Sequence, residues 1–119
     1  MITLRHPDTF GSAIAIAGYY RPLFPSNYSH AHDPALLNLY DLPKMLRNTQ
    51  PPVALWVSTS ARDVLSYKAT LDLLHAVRPP TSVTAIIQKK VGHRVSAWVP
   101  LVGDAFIWLG QNLPGFSPI

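Results

Sequence analysis

The chain has 119 residues, a formal net charge of +4 and no cysteine, and only 13% of its residues are charged, where about 25% is usual. The absence of cysteine excludes a disulfide framework and a thiolate zinc site. The scattered basic residues argue against nucleic-acid binding, which gathers such residues on one face or helix. Glycine, proline or aspartate breaks the longest apolar runs before the roughly 18 residues that a membrane span requires.

The predicted strands and helices alternate along the chain. Three short apolar runs are typical of buried strands and cover residues 12–18, 53–60 and 82–89. Three segments have apolar residues at helical spacing and cover residues 34–46, 66–77 and 96–112. Pro43 predicts a break or kink within the first of these helices. The segment 19–34 is rich in proline and aromatic residues, which is typical of an irregular loop.

This alternation predicts the fold class. Apolar strands joined by helical crossovers form parallel sheets that are covered on both faces. The sequence therefore predicts one partial α/β domain over residues 1–119, with three parallel strands and crossover helices. Three strands leave an open edge and too little cover for the last helix, which is apolar on nearly every side. We therefore expect part of a larger sheet, with an exposed apolar surface through which the chain self-associates.

Candidate catalytic residues follow the second and third predicted strands. Sites in open parallel sheets form at the carboxyl ends of the strands, and Asp63 follows the second strand while His93 follows the third. An aspartate followed later in the chain by a histidine supplies two members of a nucleophilic triad. In that interpretation His93 is the general base and Asp63 orients its ring. The alternatives are an ordinary helix N-cap for Asp63 and a capping or backbone-bonded histidine for His93.

Three phrases of the sequence resemble the esterases of the α/β-hydrolase fold, the group of esterase D-like enzymes and mycolyltransferase antigens. "LRHPDTFGSAIAIAGYY" is similar to that family's segment after the nucleophile helix and its sixth strand, and "PPVALWVSTSARD" to the seventh strand with its acid. "VGHRVSAWVPLVGDAFIWLG" is similar to the eighth strand's Gly-His turn and the closing helix. The order and spacing of these phrases extend over nearly the whole chain. The resemblance implies a Ser-Asp-His triad with Asp63 as the acid and His93 as the base.

The nucleophile of that family is missing from this sequence. No serine lies in the G-x-S-x-G pattern that forms the nucleophile elbow. In the family the elbow lies shortly before the R-H-P phrase with which this chain opens. We therefore expect the C-terminal part of an α/β-hydrolase sheet, produced by truncation, gene decay or a mis-set start. We expect it to be inactive alone, to use no cofactor, and to act on an ester or acyl substrate only when the missing half is supplied.

The remaining polar and aromatic residues have structural interpretations. His30, His32 and Asp33 are close in sequence, but no second cluster supplies further ligands for a metal. We therefore expect a polar loop there, with Asp33 as a helix N-cap. We further expect structural roles for His6 and His75 and solvated helix positions for Asp72 and Asp104. Trp98 lies either in the core or in a pocket wall, and of these two positions the core is favoured.

Three functions remain open at this point. The first is the C-terminal part of a serine esterase or acyltransferase. The second is a non-catalytic remnant or an interaction module that associates through its apolar face. The third is another α/β enzyme, such as a thioesterase or peptidase, because a fold does not fix the substrate. No signal peptide is visible at the N-terminus, and because family members are often exported or membrane-tethered, the resemblance allows an extracytoplasmic location without determining one.

Overall fold

The structure, a computed structural model, describes residues 1–22 and 32–113. Strands and helices alternate along these ranges. They are β1 (Ser12–Ile16), α1 (Pro34–Tyr40), α2 (Leu42–Asn48), β2 (Ala54–Ser60), α3 (Val64–Ala76), β3 (Ser82–Gln88) and α4 (Val95–Asn112).

The strands form one parallel sheet in the order β1, β2, β3. Ile14 pairs with Trp56, and Trp56 pairs with Thr84, so these three side chains share one face of the sheet. Helices follow β1, β2 and β3 in turn, and they pack on both faces. The predicted α/β fold, with three parallel strands and crossover helices, is confirmed.

The larger core lies between one face of the sheet and helices α2 and α3. Leu55 and Val57 of β2 are fully buried on this face. They belong to the same cluster as Leu46 of α2 and Leu73 of α3, which are also fully buried. This packing fixes α3 against the sheet, so that its N-terminus lies at the carboxyl end of β2.

A smaller core lies on the opposite face, under α4. Trp56 of β2 is almost fully buried there against Leu101 and Ala105 of α4. The Trp108 Nε1 donates a hydrogen bond of 3.1 Å to Thr84 Oγ1 on β3. These contacts bring the N-terminus of α4 to the carboxyl edge of the sheet, next to the loop that carries His93.

Much apolar surface on the α4 side of the molecule is uncovered. The helix α4 presents a row of exposed apolar side chains, named here the α4 stripe: Val95, Val99, Val102 and Phe106. Every residue of β3 is exposed or half-buried, and its consecutive residues Ile86 and Ile87, which face opposite sides of the sheet, are both exposed. Within residues 1–22 and 32–113, no helix has the length and apolarity needed to cross a membrane.

Several predicted boundaries are wrong by a few residues, each for a local reason. The predicted break at Pro43 occurs instead at Asp41, whose backbone is extended and whose Oδ1 accepts a hydrogen bond of 2.9 Å from the Lys44 N–H. Pro43 lies in the first turn of α2, where proline is well tolerated. The strand β1 ends at Ile16 rather than at residue 18, because Ala17 adopts a left-handed conformation with a φ of 52°.

Candidate functional site

A polar side chain of the candidate site follows each strand at the carboxyl edge of the sheet. Tyr19 follows β1, Asp63 follows β2, and His93 follows β3. Because the strands are parallel and adjacent, their carboxyl ends meet at the same edge. The structure brings all three side chains into contact there.

The closest contact of the site joins Asp63 to His93. The Asp63 Oδ2 is hydrogen-bonded to the His93 Nδ1. The Asp63 side chain is 7% exposed, whereas that of His93 is 42% exposed. Because the carboxylate occupies Nδ1, it favours the tautomer that places the proton on Nδ1 and leaves the Nε2 lone pair available. Among the described residues Nε2 has no hydrogen-bond partner.

Asp63 is also the N-cap of α3. Its Oδ1 accepts a hydrogen bond of 3.4 Å from the Ser66 N–H, a long bond for a capping interaction. One Asp63 oxygen therefore caps the helix, as the N-cap interpretation predicts, and the other meets the imidazole. The cap ties the position of the carboxylate to the packing of α3 on the sheet.

Two aromatic rings hold His93 from different sides. The Tyr19 ring lies 5.7 Å from the imidazole, centroid to centroid, and the Tyr19 Oη lies 3.4 Å from the His93 Nδ1. The Trp98 ring meets the imidazole edge-on, at 4.8 Å between centroids and an interplanar angle of 83°. Trp98 is half-buried and belongs to neither core cluster, so the prediction of a core position is wrong. Its placement one turn into α4 turns the ring toward His93 instead.

The loop that positions Tyr19 has an unusual backbone. Ala17 and Tyr20 both have positive φ angles, 52° and 46°, and the Arg21 N–H donates to the Tyr19 carbonyl at 2.5 Å in a turn centred on Tyr20. Residues with side chains rarely adopt such conformations outside functional or tightly packed segments. A Cβ on Gly18 would lie 2.6 Å from the Tyr20 Cζ, so only glycine fits there.

The Tyr20 side chain fills the space beneath this loop. It is 8% exposed, and burial raises the pKa of its phenol above the ordinary value, an effect that the Thr70 side chain partly offsets. Among the described residues, neither the Tyr20 hydroxyl nor the Thr70 hydroxyl has a hydrogen-bond partner. Tyr20 therefore supports the loop by packing.

No serine within the described ranges is hydrogen-bonded to the His93 ring. Ser58 is buried in β2, and the Ser66 Oγ is hydrogen-bonded to the Thr59 Oγ1 at 3.0 Å. The Ser60 hydroxyl donates to the Val91 carbonyl, two residues before His93. Ser60 thus fixes the loop that carries His93 and does not serve as a partner of its ring.

The other candidate residues lie away from this edge. The described residues contain no group of three side chains suited to a metal ion. Asp33 caps α1 through a hydrogen bond of 2.9 Å from the Ala35 N–H, and His32 is exposed beside it. His30 and most of the predicted loop 19–34 lie outside the described residues.

The remaining predicted structural positions have these environments: His6 is exposed in an N-terminal turn, His75 and Asp104 are exposed on α3 and α4, and Asp72 is paired with Arg21 at 2.9 Å. The pairing of Asp72 departs from the simple solvated position that the sequence predicts. The Arg21 side chain reaches it from the loop after β1, because one face of α3 lies beside that loop.

The fold and this edge define an α/β domain with an aspartate–histidine pair at the carboxyl ends of neighbouring strands. Searches of protein-family models, of curated proteins and of solved structures find no match to the chain. The sequence phrases and the geometry of the pair are therefore the basis for assigning a function.

Proposed function

We propose that this chain supplies the acid and the base of a Ser-Asp-His triad in a serine esterase or acyl hydrolase of the α/β-hydrolase fold. The observation that carries the proposal is the contact between the Asp63 Oδ2 and the His93 Nδ1, which leaves Nε2 without a hydrogen-bond partner among residues 1–22 and 32–113. Both residues follow neighbouring parallel strands, in the chain order that such triads use. The resemblance of the three sequence phrases to that family supports the same assignment.

In the proposed reaction the His93 Nε2 takes the proton of a serine hydroxyl as the serine Oγ attacks the ester carbonyl carbon. Asp63 holds the ring in the required tautomer and stabilises the imidazolium that forms. When the tetrahedral intermediate collapses, the carbon–oxygen bond to the alcohol breaks and the imidazolium gives its proton to the leaving oxygen. A water molecule then attacks the acyl-serine through the same two proton transfers, and the carboxylic acid is released.

The serine comes from outside residues 1–119 in this proposal. The sequence has no G-x-S-x-G elbow, and Ser58, Ser60 and Ser66 are hydrogen-bonded elsewhere or buried away from His93. A segment that carries the elbow has to present its Oγ within about 3 Å of Nε2. The exposed position of the imidazole leaves that side accessible.

The proposed tautomer can be tested on the chain as it stands. Long-range ¹H–¹⁵N correlation spectra of the histidine rings should show His93 with its proton on Nδ1, whereas Asp63→Asn should shift the population toward the other tautomer. His75→Ala serves as the control and should leave the His93 signals unchanged. A wild-type ring with its proton on Nε2 would contradict the proposed role of Asp63.

The enzymatic step requires the protein in which these residues are joined to an elbow-bearing segment. With a short-chain chromogenic ester, His93→Ala should lower kcat/KM by about 10³-fold, because no group would then deprotonate the serine. His75→Ala should retain the activity. Retention of most activity by a folded, serine-dependent His93→Ala variant would refute the triad assignment.

A second candidate function is an interaction module that pairs with a second copy of itself, and the α4 stripe favours it. Its members are spaced alternately by four and three residues along an 18-residue helix, the spacing of a two-helix seam. Val95, Val99 and Phe106 are each more than 60% exposed. Asp104 is the only charged residue of α4, so two copies of the stripe meet without charge repulsion.

This candidate predicts a dimer that depends on the α4 stripe. In sedimentation velocity, Phe106→Glu should shift the chain toward the monomer. Ile107→Glu is the matched control, because Ile107 is equally exposed at 64% but lies about 100° around the helix. A monomeric wild-type chain, or equal effects of the two variants, would exclude self-pairing through the stripe.

A further inference from the structure

A small cleft adjoins the aspartate–histidine pair on the α3 side. It has a volume of about 230 Å³ and is lined by Tyr19, Arg21, Leu65, Lys68, Ala69 and Asp72. Tyr19 is shared between the two features, since its ring lines the cleft and also contacts His93. A larger cleft of about 410 Å³ lies beside Tyr20 and Leu42, but neither Tyr19 nor the pair lines it.

The lining of the smaller cleft combines an apolar wall with positive charge. Leu65 and Ala69, one helical turn apart on α3, provide apolar surface together with the Tyr19 ring. Lys68 lies on the same face of α3 and has no ion-pair partner among the described residues. The cleft therefore offers an ammonium group beside an apolar surface.

The second cation of the cleft is held in place. Arg21 pairs with Asp72 at 2.9 Å, and both side chains are partly exposed, at 46% and 42%. The pair neutralises itself and restrains the guanidinium at the cleft. Lys68 is left as the uncompensated charge, so the lining carries a net charge of one positive unit.

The chemical class of ligand follows from these features. A volume of 230 Å³ is below the roughly 300 Å³ at which drug-sized pockets begin, so the cleft suits a short group. An apolar wall fits a few methylene groups, and an unpaired ammonium favours an anion at the far end. A neutral chain of the same length would leave Lys68 without a partner.

We propose that this cleft binds the carboxylate end of a short dicarboxylic acyl group, so that the preferred substrates are hemi-esters with an anionic acyl chain. The proposal rests on the proposed function for the reaction at the adjoining edge. Tyr19 lies between the cleft and the aspartate–histidine pair. In the bound substrate the distal carboxylate lies near Lys68, the methylene chain passes the Tyr19 ring, and the ester group lies toward His93.

Binding can be measured on the chain itself, without any catalytic activity. Glutarate should perturb the backbone amide signals of Tyr19, Leu65 and Lys68 in ¹H–¹⁵N spectra at fixed ionic strength, while the neutral ester methyl butyrate should perturb them much less. Lys68→Gln should weaken glutarate binding by about 3-fold to 5-fold, the effect of losing one exposed ion pair. Lys44→Gln removes the same charge on α2, away from the cleft, and should leave binding unchanged.

Two further arms separate the possible causes of failure. Glutarate binding is measured without turnover, so a failure of the triad assignment would not affect this test. Equal perturbation by inorganic phosphate, or equal binding by Lys68→Gln and Lys44→Gln, would show general anion attraction and overturn the cleft assignment. Equilibrium dialysis with labelled glutarate gives the same comparison if self-association broadens the spectra. An active elbow-joined enzyme that hydrolyses butyrate and glutarate monoesters equally well would support the triad and refute this cleft.

Discussion

Asp63 has two structural tasks, and a double-mutant cycle with His93 can separate them. Asp63→Ala removes both the cap of α3 and the contact with the imidazole, whereas Asp63→Asn keeps a good N-cap and removes the carboxylate. The capping bond is long at 3.4 Å, so its loss should cost about 0.5 kcal/mol, the low end for N-caps. The His93 side chain is 42% exposed, so solvent screening limits the pair to about 0.5–1 kcal/mol.

These values give an ordered set of expected stabilities. Asp63→Ala should lower the free energy of unfolding by about 1–1.5 kcal/mol, and Asp63→Asn and His93→Ala by about 0.5–1 kcal/mol each. The double variant Asp63→Asn/His93→Ala should lose little more than either single variant, because both remove the same contact.

Urea unfolding followed by far-ultraviolet circular dichroism measures these differences as midpoint shifts at a constant m-value. The double variant Asp63→Asn/His75→Ala is the control. His75 does not contact Asp63, so the effects of the two substitutions on the free energy of unfolding should add. If the effects of Asp63→Asn and His93→Ala on the free energy of unfolding also added within about 0.3 kcal/mol, the contact would not stabilise the fold. That result would refute the claim that Asp63 positions the His93 ring.

Three further predictions concern the chain alone. It should not hydrolyse a short-chain chromogenic ester above background, because no described serine is hydrogen-bonded to His93, and turnover abolished by a serine-directed phosphonate would contradict this. Gly18→Ala should destabilise the chain by about 1–3 kcal/mol in urea unfolding, because its Cβ would lie 2.6 Å from the Tyr20 ring; wild-type stability would show that the loop relaxes freely. Tyr20→Phe should leave stability unchanged or raised, because it removes a buried hydroxyl that lacks a partner, and a loss above about 1 kcal/mol would reveal a hydrogen bond at that position.

The parallel sheet could be predicted because its signal is local and strong. Short apolar runs such as "VALWVSTS" are typical of strands buried on both faces in a covered parallel sheet, and β2 is buried in six of its seven residues. The helix break was misplaced because proline has opposite effects in the interior and in the first turn of a helix. Sequence spacing around Pro43 does not distinguish these positions, whereas the capping carboxylate of Asp41 does.

The meeting of Asp63 and His93 could be expected from strand order, since parallel neighbours bring their carboxyl ends together. Their catalytic role stays a prediction. The positions of the Tyr19 and Trp98 rings against His93 could not be predicted from the sequence, because they depend on backbone angles that side-chain patterns do not encode. Tyr19 is oriented by the left-handed conformations of Ala17 and Tyr20. The glycine before it was the one available signal of an unusual turn.

The exposure of His93 and that of β3 both bear on how well water is excluded from the site. A general base in a hydrolase works in a site from which bulk water is largely excluded, where electrostatic interactions are stronger. The imidazole is oriented by Asp63, but at 42% exposure it remains open to solvent. The residues of β3 are likewise exposed or half-buried along the strand. Under the proposed function, efficient catalysis by this pair requires additional protein over the carboxyl edge, and a segment that brings the serine to Nε2 would also exclude water from the imidazole.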